Sequence, residues 1–174
     1  MKKILISEYE IQRRIEELAN QIDSYLEKED SDDYPVFVCV LTGSVFFFSE
    51  LVRKLKTEVI TEYIKVSSYQ GKVSTQNVQI LKDISVDISN RIVFVIEDII
   101  DTGLTVSKIT SLFKERDPAK ILVCTLLDKP SKRLVDVKVD FCGFVIPPEF
   151  VVGYGLDLDE KYRNKPYIYV FEGE

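Results

Sequence analysis

Three carboxylates, two threonines and one glycine occur together in the nine residues Glu97-Asp98-Ile99-Ile100-Asp101-Thr102-Gly103-Leu104-Thr105. Gly103 can adopt backbone angles closed to other residues, and the amides of Thr102 to Thr105 would point outward from the first turn of a following helix. These amides and the threonine hydroxyls would form a cradle for a phosphate. Carboxylates beside an anion are suited to bind ribose hydroxyls, to hold a bridging cation, or to accept a proton from a substrate nitrogen. The segment therefore predicts a sugar-phosphate site.

An acidic helix N-cap is the alternative for an isolated Asp-Thr-Gly, because carboxylates there complement the helix dipole. Three carboxylates clustered beside a phosphate cradle favour the ligand site. The chain contains no histidine, so the commonest acid-base group and the commonest transition-metal ligand are both missing. Proton transfer and metal binding then fall to carboxylates, tyrosines or water, and a hard cation such as Mg²⁺ is the metal to expect.

The acidic segment lies between a predicted strand and a predicted helix. Residues 92–96 are apolar on both faces, which is typical of a strand in a parallel sheet covered by helices. Residues 36–41 repeat this pattern and are followed by Thr42-Gly43-Ser44 and a second run with helical spacing. Ligands bind at the carboxyl ends of such strands, so the turn at residues 97–105 lies where a site is expected.

Further elements complete an α/β pattern. Ser7 and Glu10 have the spacing of a capping box, and the apolar residues that follow predict an amphipathic helix over residues 7–29. Residues 121–127 predict another buried strand, and residues 59–66, 78–81, 137–146 and 167–171 are further strand candidates. Strands alternating with helices indicate an open α/β sheet. The polar stretch 67–77 has no clear period and is a candidate mobile loop.

The composition fits one domain with a single core, since 45% of the 174 residues are hydrophobic. With 23 basic against 29 acidic residues, the net charge of -6 disfavours broad adhesion to nucleic acid. The apolar stretch at residues 4–6 is too short for a signal peptide or a membrane span, so we expect a cytoplasmic enzyme that does not bind membranes. Cys39, Cys124 and Cys142 lie in apolar runs and are expected to be buried structural thiols.

Residues 93–105 resemble the phosphoribosyl pyrophosphate motif of type I phosphoribosyltransferases at all thirteen positions. The resemblance continues through residues 41–44, 67–69, 127–130, 150–157 and 162–164, in the order and spacing of the hypoxanthine-guanine branch. It implies an α/β fold with an open, mostly parallel, twisted sheet, flanking helices and a small hood from the terminal segments. Residues 1–174 would then form a single domain, with a core at about 36–130 and a hood from the N-terminal segment and about 131–174.

The resemblance implies how the acidic segment binds the sugar phosphate. Glu97 and Asp98 would bind the ribose hydroxyls, directly or through Mg²⁺. The segment that would wrap the 5′-phosphate consists of Asp101, Thr102, Gly103, Leu104 and Thr105. Asp101 would also lie near N7 of the purine as general base or acid, which makes it the expected catalytic residue.

The pyrophosphate would be bound by Thr42 and Gly43, together with Arg163. Family members have a non-proline cis peptide at the position of Leu41–Thr42, and they often have lysine where this chain has Thr42. Asp157 matches a second metal-binding carboxylate near the pyrophosphate. Because a planar guanidinium suits paired phosphate oxygens, Arg163 fits this role chemically.

The purine would be bound by Lys129, Phe150 and Val151. Lys129 would donate to the exocyclic oxygen, Phe150 would stack on the base, and the backbone of Val151 would contact its edge. A donor-only lysine favours 6-oxopurines over adenine. Ser68 and Tyr69 match the start of a lid that closes over the site and excludes water.

The implied activity is Mg²⁺-dependent transfer of the phosphoribosyl group from phosphoribosyl pyrophosphate to hypoxanthine or guanine, in purine salvage, by a homodimer or homotetramer. A xanthine- or adenine-preferring enzyme is an alternative, since specificity depends on few contacts. A related RNA-binding regulator, like the pyrimidine-operon attenuation proteins, is a second alternative, which the acidic chain disfavours. A phosphate-accepting receiver-type domain is the third, but it assigns no role to Lys129 or to residues 150–157.

Overall fold

The computed structural model describes residues 3–29, 31, 33–69 and 77–172. These residues form three α-helices, nine β-strands and a 3₁₀ turn at Pro130–Lys132. The helices are α1 (Glu8–Leu26), α2 (Val45–Lys54) and α3 (Leu104–Lys114). The strands are β1 (Lys3–Ile6), β2 (Val36–Leu41), β3 (Ile60–Tyr69), β4 (Asn77–Lys82), β5 (Ile92–Ile100), β6 (Lys120–Asp128), β7 (Phe141–Val145), β8 (Val151–Val152) and β9 (Ile168–Val170).

A six-stranded sheet in the order β4-β3-β2-β5-β6-β7 forms the centre of the molecule. Strands β3, β2, β5, β6 and β7 each pair in parallel with the next. Strand β4 pairs antiparallel with β3 at one edge. Alternate residues of β2 and β5 pack against α1 and α2 on one face and against α3 on the other. Phe37 and Phe94 stack on the first face, with ring centroids 4.4 Å apart. Burial on both faces explains why these strands are continuously apolar.

A second, three-stranded antiparallel sheet in the order β1-β9-β8 forms the hood. Its strands come from the N-terminal and C-terminal parts of the chain, as the resemblance implied, but β7, which lies in the range expected for the hood, pairs with β6 in the central sheet. Ile6, Val151 and Ile168 of this sheet belong to the same hydrophobic cluster as α1 and α2. Arg14 of α1 also donates to the carbonyl oxygens of Cys142 and Gly143 in β7, at 2.8 and 2.9 Å. The hood is therefore packed on the central sheet.

Most of the predicted elements are confirmed, with shifted ends. Ser7 caps α1 through a reciprocal capping box with Glu10, although the helix ends at Leu26 and not at residue 29. The predicted strand at 137–146 is limited to β7, and the two-residue strand β8 and the strand β1 were not predicted. No helix among the residues described is long and apolar enough to cross a membrane.

The prediction that residues 97–105 are a turn is wrong in its first half. Strand β5 runs on to Ile100, because Glu97, Ile99 and Ile100 still pair with β6. Ladder hydrogen bonds to a neighbouring strand thus outweigh the polarity of two consecutive carboxylates. The predicted loop 67–77 is also shorter, since the backbone of β3 reaches Tyr69 and β4 begins at Asn77. Residues 70–76, which include most of the expected lid, lie outside the described residues.

The cysteines are free thiols and differ in burial. Cys39 and Cys124 are buried, as predicted, whereas Cys142 is only partly buried because it lies on the edge strand β7. Burial raises the pKa of Cys39 to about 12. Cys39 is therefore a neutral thiol that packs as a small apolar side chain.

Candidate active site

One cavity of about 570 Å³ opens where the carboxyl ends of β2, β5 and β6 meet the hood. Most of the site residues predicted from the sequence line it. They are Thr42, Gly43, Glu97, Asp98, Asp101, Thr105, Lys129, Phe150, Val151, Asp157 and Arg163. Thr102 and Gly103 in the adjoining loop, and Leu104 at the start of α3, are not part of the cavity wall. Ser68 and Tyr69 end β3, and their side chains are outside what the structure describes.

Glu97 and Asp98 are buried side by side at the end of β5, with 7% and 9% of their surfaces exposed. The Ser44 hydroxyl joins them, because it donates to Glu97 Oε1 at 3.2 Å and accepts from the Asp98 amide at 3.0 Å. Ser44 is itself fully buried. It therefore ties the turn after β2 to the acidic pair on β5.

Burial makes both carboxyl groups weaker acids than usual. It raises the pKa of Glu97 well above the ordinary range, and the adjacent Asp98 charge raises it further. Burial also raises the pKa of Asp98, although hydrogen bonds and the Arg163 charge oppose the shift. Glu97 Oε2 is buried and accepts no hydrogen bond from a described donor. A cation beside this oxygen would favour the ionised form, so the pair suits a metal.

The donor set fits a hard cation that takes part of its ligands from the substrate. Among the described residues, no three acidic or cysteine side chains converge closely enough to enclose a metal ion. Mg²⁺ is commonly held by one or two carboxylates, with water and substrate phosphate as the remaining ligands. Glu97, Asp98 and Asp157 all line the cavity and supply such carboxylates.

Gly43 lies directly against the acidic pair. A Cβ atom at this position would be 1.7 Å from Asp98 Oδ2, so only glycine allows the turn to pack so closely on the carboxylate. The peptide bond between Leu41 and Thr42 is cis, as the resemblance implied. The turn after β2 is thus in contact with the end of β5.

The loop between β5 and α3 presents the start of a helix to the cavity. Gly103 precedes α3 with a left-handed φ of 84°. The first intrahelical bond runs from the Ser107 amide to the Gly103 carbonyl, so the amides of residues 104–106 precede the helical ladder. Thr105 lines the cavity from this first turn. These amides are suited to bind an anion.

Asp101 and Lys129 face each other at the ends of β5 and β6. Lys129 Nζ lies 4.0 Å from Asp101 Oδ2. Only 5% of Lys129 is exposed, so it is not a solvated surface lysine. Burial lowers the pKa of Lys129, and the nearby Asp101 partly opposes that shift. Asp101 Oδ1 is buried and has no hydrogen-bond partner among the described residues, whereas the Asp101 side chain as a whole is 48% exposed to the cavity.

The hood supplies the remaining wall. Phe150 is 51% exposed and contacts Phe171 edge-on, at 6.3 Å between ring centroids, so one ring face remains accessible. Val151 is buried in β8. Arg163 is held by the Asp157 carboxylate at 3.0 Å and by the Gly155 carbonyl at 2.7 Å. Its guanidinium is therefore fixed beside the cavity.

Comparison with known proteins identifies the family, because the model of the phosphoribosyl transferase domain matches residues 6–159. The chain belongs to the phosphoribosyltransferase family. It is 44% identical over 169 residues to a hypoxanthine-guanine-xanthine phosphoribosyltransferase of Tritrichomonas foetus, covering 97% of this chain and 90% of the relative. It is also 44% identical over 173 residues to the hypoxanthine-guanine phosphoribosyltransferase of Bacillus subtilis, covering 99% of this chain and 94% of the relative.

Solved structures of phosphoribosyltransferases share the fold. A hypoxanthine-guanine phosphoribosyltransferase of Bacillus anthracis superposes with a TM-score of 0.91 at 44% identity, covering 98% of this chain and 99% of that one. A hypoxanthine phosphoribosyltransferase of Staphylococcus aureus gives a TM-score of 0.91 at 39% identity, covering 99% of this chain and 92% of that one. The predicted family and the type I phosphoribosyltransferase fold are confirmed.

Several residues of this phosphoribosyltransferase site received no role from the sequence. Ser44 lies in the stretch 41–44 that resembles the family, but nothing in the neighbouring sequence indicates that it is buried against β5. Glu160 lines the cavity and contacts Arg163 at 3.0 Å, and Lys65 lines it from β3. Arg133 contacts the loop before α3 from the far side. The contacts of Ser44 and Arg133 join segments distant in sequence, which is why spacing along the chain could not reveal them, whereas Glu160 and Arg163 are only three residues apart.

Proposed function

We propose that this phosphoribosyltransferase moves the 5-phosphoribosyl group from phosphoribosyl pyrophosphate to hypoxanthine or guanine, in purine salvage. The products are the corresponding nucleoside 5′-monophosphate and pyrophosphate. The observation that carries the proposal is the pairing of buried Lys129 with Asp101, 4.0 Å apart, beside the buried acidic pair. A donor-only cation and a carboxylate in one cavity suit the 6-oxo group and the ring nitrogen of a 6-oxopurine. The names of the relatives agree with this substrate class.

Base selection is assigned to Lys129, Phe150 and Val151. Lys129 would donate to the exocyclic oxygen of the base, whereas the 6-amino group of adenine also donates and could not accept from the lysine. Phe150 has an exposed ring on which the base can stack. The Val151 backbone would contact the edge of the base. A buried donor that faces another donor is costly, so this contact discriminates against adenine.

Proton transfer is assigned to Asp101. Its carboxylate, which lines the cavity, would accept a proton from N7 or return one, which is the work of a general acid or base. The purine N9 then displaces pyrophosphate at C1 of the ribose. Charge that develops on the ribose is stabilised by the carboxylates Glu97 and Asp98, which would also hold the ribose hydroxyls.

The two anionic ends of the donor substrate are assigned to two separate turns. The 5′-phosphate would be bound by Asp101, Thr102, Gly103, Leu104 and Thr105, which form the loop before α3 and its first two residues. The pyrophosphate would be bound by Thr42 and Gly43 with Arg163. Thr42 carries no charge, so electrostatic attraction at this turn depends on Arg163 and on the bound metal.

Mg²⁺ would be held by Glu97, Asp98 and Asp157. When bound, it neutralises charge on the pyrophosphate and makes it a better leaving group. The chain's own contribution is to keep Glu97 and Asp98 fixed through Ser44, so that they are in place before the substrate arrives. Ser68 and Tyr69 would begin a lid that excludes water.

The chain is further proposed to act in the cytoplasm as a single domain that assembles into a homodimer or homotetramer. The exposed apolar side chains of Val45, Phe46 and Tyr63 lie on α2 and β3 and support self-association. Light scattering after gel filtration tests the assembly. A mass equal to one chain of 20.1 kDa at micromolar concentration would contradict it.

Xanthine is a second candidate base, because one 44%-identical relative carries xanthine in its name. The test is an assay of the purified protein with phosphoribosyl pyrophosphate and Mg²⁺ against hypoxanthine, guanine, xanthine and adenine. Each nucleoside monophosphate is quantified with and without a chelator. Chelator-sensitive product from 6-oxopurines, with little from adenine, is expected. Absence of product from every base would contradict the proposal and favour an RNA-binding regulator.

A further inference from the structure

The carbonyl oxygens of the loop before α3 accept hydrogen bonds from the segment that follows β6. Arg133 Nη1 donates to the Ile100 carbonyl at 2.8 Å and to the Asp101 carbonyl at 2.6 Å. The Thr102 carbonyl accepts from the amides of the next two residues after Arg133, at 2.9 and 3.3 Å. The Ile100 carbonyl also accepts from the Lys129 amide at 3.0 Å, so three consecutive carbonyl oxygens of the loop are occupied.

Arg133 is fixed by a second partner. Its other terminal nitrogen contacts the carboxylate of Asp128, the last residue of β6. The two side chains are only 17% and 12% exposed. Burying an ion pair is costly unless both groups are well bonded, and such a pair is weak evidence of a purely stabilising role. The planar guanidinium satisfies two carbonyls and a carboxylate at once, which an ammonium group cannot do as well.

The bonding has an electrostatic effect on the loop. A backbone carbonyl facing a bound phosphate would repel it, whereas an amide attracts it. The carbonyls of residues 100–102 are bonded to Arg133 and its neighbours, while the amides of residues 104–106 precede the helical ladder. Gly103, at φ 84°, makes the reversal between these two halves, and a Cβ there would lie 3.0 Å from the Val135 carbonyl. The loop therefore packs closely against residues 133–135.

We propose that Arg133 is a positioning residue for the phosphate-binding loop, holding the Asp101 carbonyl, and together with the Lys129 amide the Ile100 carbonyl, away from the 5′-phosphate. Asp128 holds Arg133 in place for this task. The inference rests on the proposed function, since it assumes that the loop binds a 5′-phosphate. Arg133 does not line the cavity, so its effect is exerted through the backbone of Ile100 and Asp101.

The test compares Arg133→Met with Arg91→Met by titration calorimetry. Arg91 is a matched control, because it also donates to a backbone carbonyl, that of Tyr34 at 3.1 Å, and pairs with an aspartate, Asp33 at 3.5 Å. The probes are inosine 5′-monophosphate, which carries the 5′-phosphate, and pyrophosphate with Mg²⁺, which would bind the other turn. Arg133→Met is expected to weaken the binding of inosine 5′-monophosphate about tenfold or more and to change that of pyrophosphate less than twofold. Arg91→Met should change neither.

Steady-state kinetics provides a second measurement. Arg133→Met should raise the KM for phosphoribosyl pyrophosphate much more than the KM for the base, and Arg133→Lys should recover part of the loss because it keeps the charge. If Arg133→Met is unfolded by circular dichroism, Arg133→Lys and Asp128→Asn are titrated in its place, with a weakening of at least threefold expected for each.

The outcomes separate the two proposals. Equal affinity of wild type and folded variants for inosine 5′-monophosphate overturns the role of Arg133 and leaves the proposed function standing. Equal weakening for both probes also overturns it, because that result indicates a general disturbance. Failure of the wild type itself to bind the nucleotide or to form product overturns the proposed function, and the role of Arg133 falls with it.

Discussion

At the level of single residues, Asp101 has the most direct chemical role in the proposed mechanism. We expect Asp101→Asn to lower kcat by roughly 10² to 10⁴ and to change the KM values little, which is the usual effect of removing one acid-base group. Initial rates at saturating substrate measure kcat. Asp33→Asn, at the opposite end of the sheet, is the control. A kcat within threefold of the wild type would show that the proton is transferred elsewhere.

Lys129 gives a prediction about both base preference and pH. Its lowered pKa means that the charged form, present below that pKa, is lost as the pH rises through it, earlier than for an ordinary lysine. Affinity for 6-oxopurines should therefore fall on the alkaline side in the wild type. In Lys129→Gln this fall should disappear, kcat/KM for hypoxanthine should drop about 10- to 100-fold, and the relative rate with adenine should rise, since an amide also accepts.

The measurement is kcat/KM for hypoxanthine and adenine across neutral to alkaline pH. Lys114→Gln, exposed in the last turn of α3, is the control and should keep the wild-type profile. The same alkaline decline in Lys129→Gln as in the wild type would exclude Lys129 as the titrating group.

Ser44 joins the turn after β2 to β5, and removing its hydroxyl should lower the stability of the fold. Ser44→Ala leaves the buried Asp98 amide without an acceptor, so we expect a loss of roughly 1 to 3 kcal/mol in the free energy of unfolding. Urea denaturation measures it. Ser111→Ala, exposed on α3, should change stability far less. An unchanged midpoint for Ser44→Ala would mean that water replaces the hydroxyl.

At the level of elements, the capping box of α1 should make the stability of the protein depend on pH. The Ser7 hydroxyl and amide both donate to the Glu10 carboxylate, at 2.6 and 2.8 Å, and these bonds lower the pKa of Glu10. A carboxylate whose pKa is lower in the folded state stabilises above its unfolded pKa, and this stabilisation is lost as the pH falls through the folded value. Glu10→Gln should therefore reduce the thermal midpoint at pH 7.

That difference from the wild type should shrink as the pH falls from about 4.3, the pKa of glutamate in an unfolded chain, to below the folded value. Thermal scans by circular dichroism across this range measure it. Glu16→Gln, exposed on the same helix, is the control and should change the midpoint little. A difference for Glu10→Gln that stays constant down to low pH would contradict the role of its charge.

The elements also show what the sequence can predict and why the rest escapes it. Runs buried on both faces, as in β2 and β5, and the capping box of α1 are local signals, so they predicted the correct elements. The extension of β5 through Glu97 depends on its partner strand, and β8 exists only because β9 lies beside it. Likewise the family motif located Asp101 and Lys129, but the contacts of Ser44 and Arg133 require the assembled sheet.

At the level of the whole molecule, the hood and the central sheet share one hydrophobic cluster, so we expect them to unfold together. Ile168 of β9 is fully buried in that cluster. Ile168→Ala should cost roughly 2 to 5 kcal/mol and lower the urea midpoint without a second transition. Ile4→Ala, 54% exposed in the same sheet, is the control.

The chain has no tryptophan, so tyrosine fluorescence and far-ultraviolet circular dichroism are the two probes to compare. Coincident curves are expected for the wild type and for Ile168→Ala. Separate transitions for the two probes would show that the hood is a second folding unit, contrary to the proposed single domain.

The cavity wall is divided between different parts of the chain, which meet where Lys129 faces Asp101. The proposed sugar-phosphate residues lie on β5 and at the start of α3, whereas the proposed base contacts come from the end of β6 and from the hood. An engineer could therefore randomise residue 129 together with residues 150–152 and retain the machinery that activates the ribose. The same division allows a lineage to exchange one nucleobase for another without rebuilding its chemistry.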